Sequence, residues 1–277
     1  MKIGVRGHDY GCASPREMAK RISDAGFGCF QLALHKAIEG VKPEYGHLSP
    51  GFCADVRRAF EERGLEVAVL GCYIDPACAD EEKRLYEVKR FREQTAYCRQ
   101  LGSSIVATET SGYSGDEAGR KAQFERLTDS VLRMVEQAER FGVFVGIEPV
   151  LSHTLNTPEL AEKLLNIVSS DSMQIVLDPI NLLSPANIDR QREIIDECFE
   201  RFGDRIVAVH AKDVVIGEDG RFHPCVIGEG LFDHQYFYDR LFKQKPGIRV
   251  LREEANPATA HLDLAALKRF VETAESR

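Results

Sequence analysis

Eight short apolar runs, each followed by a longer amphipathic stretch, set the strongest limit on what this chain can fold into. The runs are Lys2 to Arg6, Cys29 to Ala33, Glu66 to Gly71, Ser104 to Thr108, Val143 to Glu148, Gln174 to Asp178, Ile206 to His210 and Ile248 to Arg252. Segments this short and this apolar suit parallel strands buried on both faces and covered by helices. Eight such units in 277 residues, 43% of them hydrophobic, predict one α/β domain over residues 1–277, a single (β/α)8 barrel of ordinary size.

Local signals place the helices between the runs. Ser14-Pro15, Ser49-Pro50 and Thr157-Pro158 put an N-cap oxygen and a preset φ ahead of helices over Arg16 to Ala25, Gly51 to Arg63 and Glu159 to Val168. Gly26, Gly64 and Gly142 stand where a left-handed stop is wanted before the next strand. Longer irregular segments are expected at Lys36 to His47, Asp75 to Asp80, Ser111 to Asp116 and Val214 to Gly230, all of them after strands, where a barrel keeps its functional loops.

Four polar residues end four consecutive runs: Glu148, Asp178, His210, and Glu253 or Glu254. The steps from 148 to 178, to 210 and to 254 are 30, 32 and 44 residues, each long enough for one strand, loop and helix. Strand C-termini converge on one face of a barrel, so these side chains are expected to meet there. Three carboxylates and an imidazole suit one divalent ion, Mn²⁺, Mg²⁺, Co²⁺ or Zn²⁺, and mixed oxygen and nitrogen ligation favours none of them. A single polar residue at a strand end is ordinarily just solvated, but three acids together would repel one another without a cation.

Composition removes other classes. A net charge of −8 and the lack of a long Lys/Arg run argue against nucleic acid. The longest apolar runs, such as Leu65 to Tyr73, fall far short of a membrane span, and Met1-Lys2-Ile3-Gly4 enters a strand without the apolar run of a signal peptide. Eight scattered cysteines, with no CxxC pair, point to free thiols in a reducing cytoplasm and away from zinc-finger chemistry. Cys72 reads as buried packing.

VGIEPV, VLDPINLL, VHAKDV followed by a GEG loop, and LREEA resemble the sugar phosphate isomerase/epimerase family with the xylose isomerase-like barrel, over essentially the whole chain. That family includes ketose 3-epimerases, hydroxypyruvate isomerases and inosose dehydratases. The resemblance implies that Glu148, Asp178, His210 and Glu254 or Glu253 bind one divalent metal. Strand parity favours Glu254, which turns Arg252, Val250 and Ile248 inward and Leu251 toward the helices. Glu253 inward would instead send Arg252 to the helix layer and Arg249 into the barrel.

The implied chemistry is proton removal next to a carbonyl, with the metal holding the carbonyl oxygen and the adjacent hydroxyl and stabilising an enediolate. Glu148 and Glu254 would act on opposite sides of the substrate, one taking the proton and the other returning it. Return to the other face of the same carbon epimerises; return to the neighbouring carbon isomerises. His8, Glu109, His153, Asn181, Lys212 and Arg252 are candidates to bind the small-molecule sugar, with Lys212 beside a developing oxyanion or a phosphate. Asp213 would pair with Lys212 or orient His210, and Gly228-Glu229-Gly230 forms a turn with weak anion-binding character.

An inosose-type dehydratase needs nearly the same site. An endonuclease IV-like repair enzyme is disfavoured. Asn181 stands where that group has a histidine, Arg221-Phe222-His223 replaces its Asp-x-His, and Glu109 replaces another histidine. Base rates and the family suggest a homodimer or homotetramer.

Overall fold

The computed structural model describes residues 1–113 and 115–277. Ser114, inside the expected irregular segment Ser111 to Asp116, lies outside the described residues. In chain order the strands are β1 (Lys2–Arg6), β2 (Cys29–Leu32), β3 (Glu66–Gly71), β4 (Ile105–Glu109), β5 (Phe144–Glu148), β6 (Met173–Leu177), β7 (Ile206–Ala211), β8 (Asp213–Ile216), β9 (Phe222–Cys225) and β10 (Arg249–Arg252). The helices are α1 (Pro15–Asp24), α2 (Leu34–Ala37), α3 (Pro50–Glu61), α4 (Glu81–Tyr97), α5 (Glu117–Phe141), α6 (Pro158–Val168), α7 (Gln191–Phe202), α8 (His234–Gln244) and α9 (Ala260–Glu275).

Strands β1 to β7 and β10 close a parallel barrel in the order β1-β10-β7-β6-β5-β4-β3-β2, the expected (β/α)8 architecture. No end of a barrel strand differs from the sequence reading by more than one residue. The caps form as expected: Ser14, Ser49 and Thr157 accept from the N–H groups of Glu17, Phe52 and Leu160 at 3.3, 3.3 and 3.2 Å. Each contributes on the order of 1 kcal/mol. Gly26, Gly64 and Gly142 take φ of 86°, 68° and 62°. No helix among the described residues is long and apolar enough to cross a membrane.

Two apolar cores follow from strand parity. The larger lies between barrel and helices and includes Phe30 packed at a tilt against Phe60, with ring centroids 4.4 Å apart. The smaller fills the barrel with Cys29, Val69, Ile105, Ala107, Val176, Ala208 and Leu251. This interior is narrow. A Cβ at Gly4 would sit 2.3 Å from the Cys29 carbonyl oxygen, and one at Gly146 2.8 Å from a Val176 methyl, so neither position accepts a side chain.

Parity in β10 is opposite to the one expected. Register pairs Arg249 with Ala208 and Leu251 with His210, so 249, 251 and 253 share the inner face with 208, 210 and 212. Leu251 packs inside the barrel, and Ile248 and Val250 join the outer core. The two charges that made this arrangement look uncomfortable are both paired. Arg252 turns out of the barrel to lie 3.0 Å from Asp263 of α9, and Arg249 meets Glu66 at 2.9 Å at the barrel floor.

The expected irregular segment Val214 to Gly230 also differs. Asp213↔Cys225 to Ile216↔Phe222 pair as an antiparallel hairpin, β8–β9, directly after β7. The alternation of buried Val214 with exposed Val215 and the Gly217-Glu218-Asp219-Gly220 turn carry that signal in the sequence.

Candidate metal centre

The inner parity of β5, β6, β7 and β10 brings Glu148, Asp178, His210 and Glu253 together at the C-terminal mouth. All four are buried, and one ligand-type atom from each lies within 4.8 Å of the others. His210 Nδ1 is 3.1 Å from Glu148 Oε2 and 3.4 Å from Glu253 Oε2. Its other nitrogen, Nε2, lies 2.8 Å from Gln31 Oε1, which fixes the ring.

Each acid is held in place by its own donors. Asn181 Nδ2 donates to Glu148 Oε1 at 2.7 Å. Asp178 Oδ1 accepts from the N–H groups of Ile180 and Asn181 at 2.9 and 3.3 Å. Arg6 pairs with both Asp9 and Glu253. Lys212 Nζ stands 3.3 Å from Asp178 Oδ2 and 3.3 Å from Glu253 Oε2. Those same two oxygens are buried and accept no hydrogen bond among the described residues.

One ammonium shared between two buried carboxylate oxygens leaves both short of partners, and such oxygens cost free energy until a further cation or donor reaches them. Three carboxylates and one imidazole around a common point are a donor set that fits one divalent ion, so the residues pass the test that the resemblance sets. Titration behaviour reflects the same crowding. Burial pushes the Asp178 carboxyl up to about 7, with Lys212 pulling the other way. Burial alone would lower His210, but Glu148 and Glu253 raise it to about 9. Burial also opposes ionisation of Glu253, yet His210, Lys212 and Arg6 together hold it below the usual carboxylate range. At the rim, burial and then Glu148 and Glu253 push Glu109 up to about 7.

The other expected residues divide between the mouth and elsewhere. Glu109 registers beside Glu148, and His153 Nδ1 lies 3.9 Å from Glu109 Oε2. His8 stands edge-on to Tyr73, 5.8 Å between ring centroids, and burial lowers it to about 3. Asn181 and Lys212 contact the acidic group directly, as given above. Glu254 does not join that group. It is exposed on the rim with φ of 57°, a left-handed turn that aims Glu253 inward instead. Arg252 is also outside the mouth, buried against Asp263 and donating to the Cys225 carbonyl at 2.9 Å.

Asp213 neither pairs with Lys212 nor orients His210. Its carboxylate accepts from the N–H groups of Val214, Gly228, Gly230 and Phe232 at 2.8 to 3.2 Å. The Gly228 and Gly230 amides are therefore spent on Asp213 and that of Glu229 on the Val226 carbonyl, so none is free for an anion.

Four mouth residues were not foreseen. Arg6 ends β1 and Gln31 stands one residue before the end of β2, in register with each other; Gln31 Oε1 accepts from His210 Nε2 while its Nε2 donates to Tyr73 at 2.9 Å. Lys36 lies over the Tyr73 ring, 3.7 Å from its centroid. The available signal was positional, since Arg6 and Gln31 are polar residues at or next to the ends of apolar strands.

Several solved structures share this fold. One, a D-tagatose 3-epimerase-like protein, is 21% identical with a TM-score of 0.79, covering 100% of this chain and 99% of its own. A 3-keto-D-glucoside 4-epimerase from E. coli is 19% identical with a TM-score of 0.76, covering 97% and 99%. A xylose isomerase-like TIM barrel protein from Mycobacterium smegmatis in complex with magnesium is 13% identical with a TM-score of 0.73, covering 99% and 97%. No curated protein matches the chain in sequence. The sequence profile of the xylose isomerase-like TIM barrel matches residues 19–270, and with the closed barrel and its buried Glu, Asp, His and Glu group the chain belongs to that family.

Proposed function

We propose that this protein is a divalent-metal-dependent isomerase or epimerase of a ketose or related hydroxycarbonyl sugar, phosphorylated or not, acting in the cytoplasm. The observation that carries the reading is the convergence of three buried carboxylates and an imidazole within 4.8 Å, two of the oxygens making no hydrogen bond among the described residues. Glu148, Asp178, His210 and Glu253 would hold the ion. When bound, it supplies Lewis-acid polarisation of a carbonyl, which acidifies the neighbouring C–H and stabilises the enediolate left by deprotonation.

The chain's own side chains account for the proton traffic. Glu148 and Glu253 arrive from β5 and from the end of β10, two strands separated in the barrel by β6 and β7. One takes the proton from carbon and the other returns one, as general acid–base catalysis requires. Asn181 holds Glu148 at Oε1, and Arg6 holds Glu253. Lys212 places positive charge beside oxygen where negative charge develops. Glu109 and His153 at the rim suit sugar hydroxyls. Eight unpaired cysteines, five of them buried, support the reducing compartment.

Deuterium uptake from D₂O into a panel of ketoses tests the proposal. Uptake at the carbon next to the carbonyl, present with Mn²⁺ and lost with chelator, is expected. Loss of water from a keto-inositol without such uptake into ketoses would replace the reading with a dehydratase.

A further inference from the structure

A cavity of about 380 Å³ opens beside the acidic group, over the ends of β5, β6, β7 and β10. Leu151, Leu183, Val214 and Phe222 make its walls apolar, and Asn181, Lys212 and Glu254 are among its polar residues. Asn181 and Lys212 also contact the metal group, so the cavity continues from the place where a hydroxycarbonyl would react. It is placed to receive the far end of the substrate.

The charge of that end follows from the lining. Lys212 is the cavity's one cation among the described residues, and it is already shared between Asp178 and Glu253. Glu254 faces the same space with no ion-pair partner among the described residues. The backbone amides of Gly228 and Gly230, the anion-binding candidates of the sequence, are not among the cavity's lining residues and are bound by Asp213. Glu254 also keeps a left-handed φ of 57° that a side chain ordinarily avoids, and such strain persists where the surroundings fix a residue for use.

We propose that Glu254 is a specificity-determining residue that excludes anions, so that the cavity accepts an uncharged sugar terminus and rejects a terminal phosphate. The inference rests on the reading of the centre as a sugar isomerase or epimerase and narrows it to unphosphorylated substrates. Like charge in a partly exposed cavity discriminates by about tenfold.

The test is calorimetric titration of ribitol and ribitol 5-phosphate into the Mg²⁺-loaded wild type, Glu254→Gln and Glu254→Lys proteins. Deuterium uptake by ribulose and ribulose 5-phosphate provides the second readout. Wild type is expected to prefer the polyol, Glu254→Gln to narrow that preference about tenfold and Glu254→Lys to reverse it. Tighter binding of the phosphate by wild type, or a ratio unmoved by both substitutions, overturns the proposal. If neither ketose exchanges while the polyol preference and its reversal persist, the isomerase reading fails and the charge selectivity stands.

Discussion

Lys212 and Asp213 are adjacent in sequence, as are Arg252 and Glu253, yet each pair is split between two buried charge clusters on opposite sides of the barrel wall. Outside the wall, Asp213 is met by four backbone N–H groups, and Asp263 is met by Arg252 at 3.0 Å and by the Ile227 N–H at 2.9 Å. Inside, Glu148, Asp178 and Glu253 crowd around one imidazole, with Lys212 and Arg6 as the cations and two oxygens without a hydrogen bond among the described residues. Asp263 Oδ2 too makes no hydrogen bond among the described residues, but it faces the Arg252 guanidinium one to one, and the outer cluster serves the fold. The inner one brings three acids to a common point and makes them share Lys212 and Arg6, a cost in stability that a binding site has reason to keep.

Substitutions on the two sides should therefore separate activity from stability. The largest effect is expected for Glu253→Gln, which keeps shape but removes the proton acceptor, and should lower deuterium exchange about 10³-fold. An equal loss from Asp263→Asn in protein that remains folded would erase the distinction between the faces. Next, Asp263→Ala leaves the buried Arg252 charge unpaired and should destabilise the protein by about 3 kcal/mol, lowering Tm by roughly 10 °C in calorimetry. Asp178→Asn should weaken Mn²⁺ binding at least about 100-fold by titration while the metal-free Tm holds or rises, because one of three crowded acids has been neutralised. A fall in that Tm would show the inner cluster to be structural as well.

The smallest effect concerns pH. Burial works to raise the Asp213 carboxyl, but His234 and the Gly228 and Phe232 N–H groups outweigh it, so the folded value lies below the ordinary 3.8. A depressed folded value means that the stabilisation is complete above pH 3.8 and is lost as pH falls through the lower, folded value. Denaturant titrations at pH 6 and in the acid range should show a steeper loss for wild type than for Asp213→Asn, and parallel curves would assign the acid sensitivity to the inner cluster.

The barrel was legible in the sequence because each strand is a local apolar run with punctuated ends, and three of the four clustered mouth residues were legible because each closes such a run. What escaped was decided by partners far away in the chain. Choosing Glu253 over Glu254 depends on Arg252 finding Asp263 and on Arg249 finding Glu66, neither of which is near β10 in sequence. Arg6 and Gln31 likewise reach the centre only through Glu253 and His210, more than 170 residues on. The β8–β9 hairpin is a local feature and could have been read from its turn.

Gly4 and Gly146 carry a consequence for redesign. Because a methyl group at Gly4 would collide with the Cys29 backbone, and one at Gly146 with Val176, the barrel interior cannot be filled further from these two positions. Libraries meant to alter which sugars are accepted are better spent on the loops after β5 and β6 and on the β8–β9 hairpin, where length and shape can vary without disturbing the wall that carries the acids.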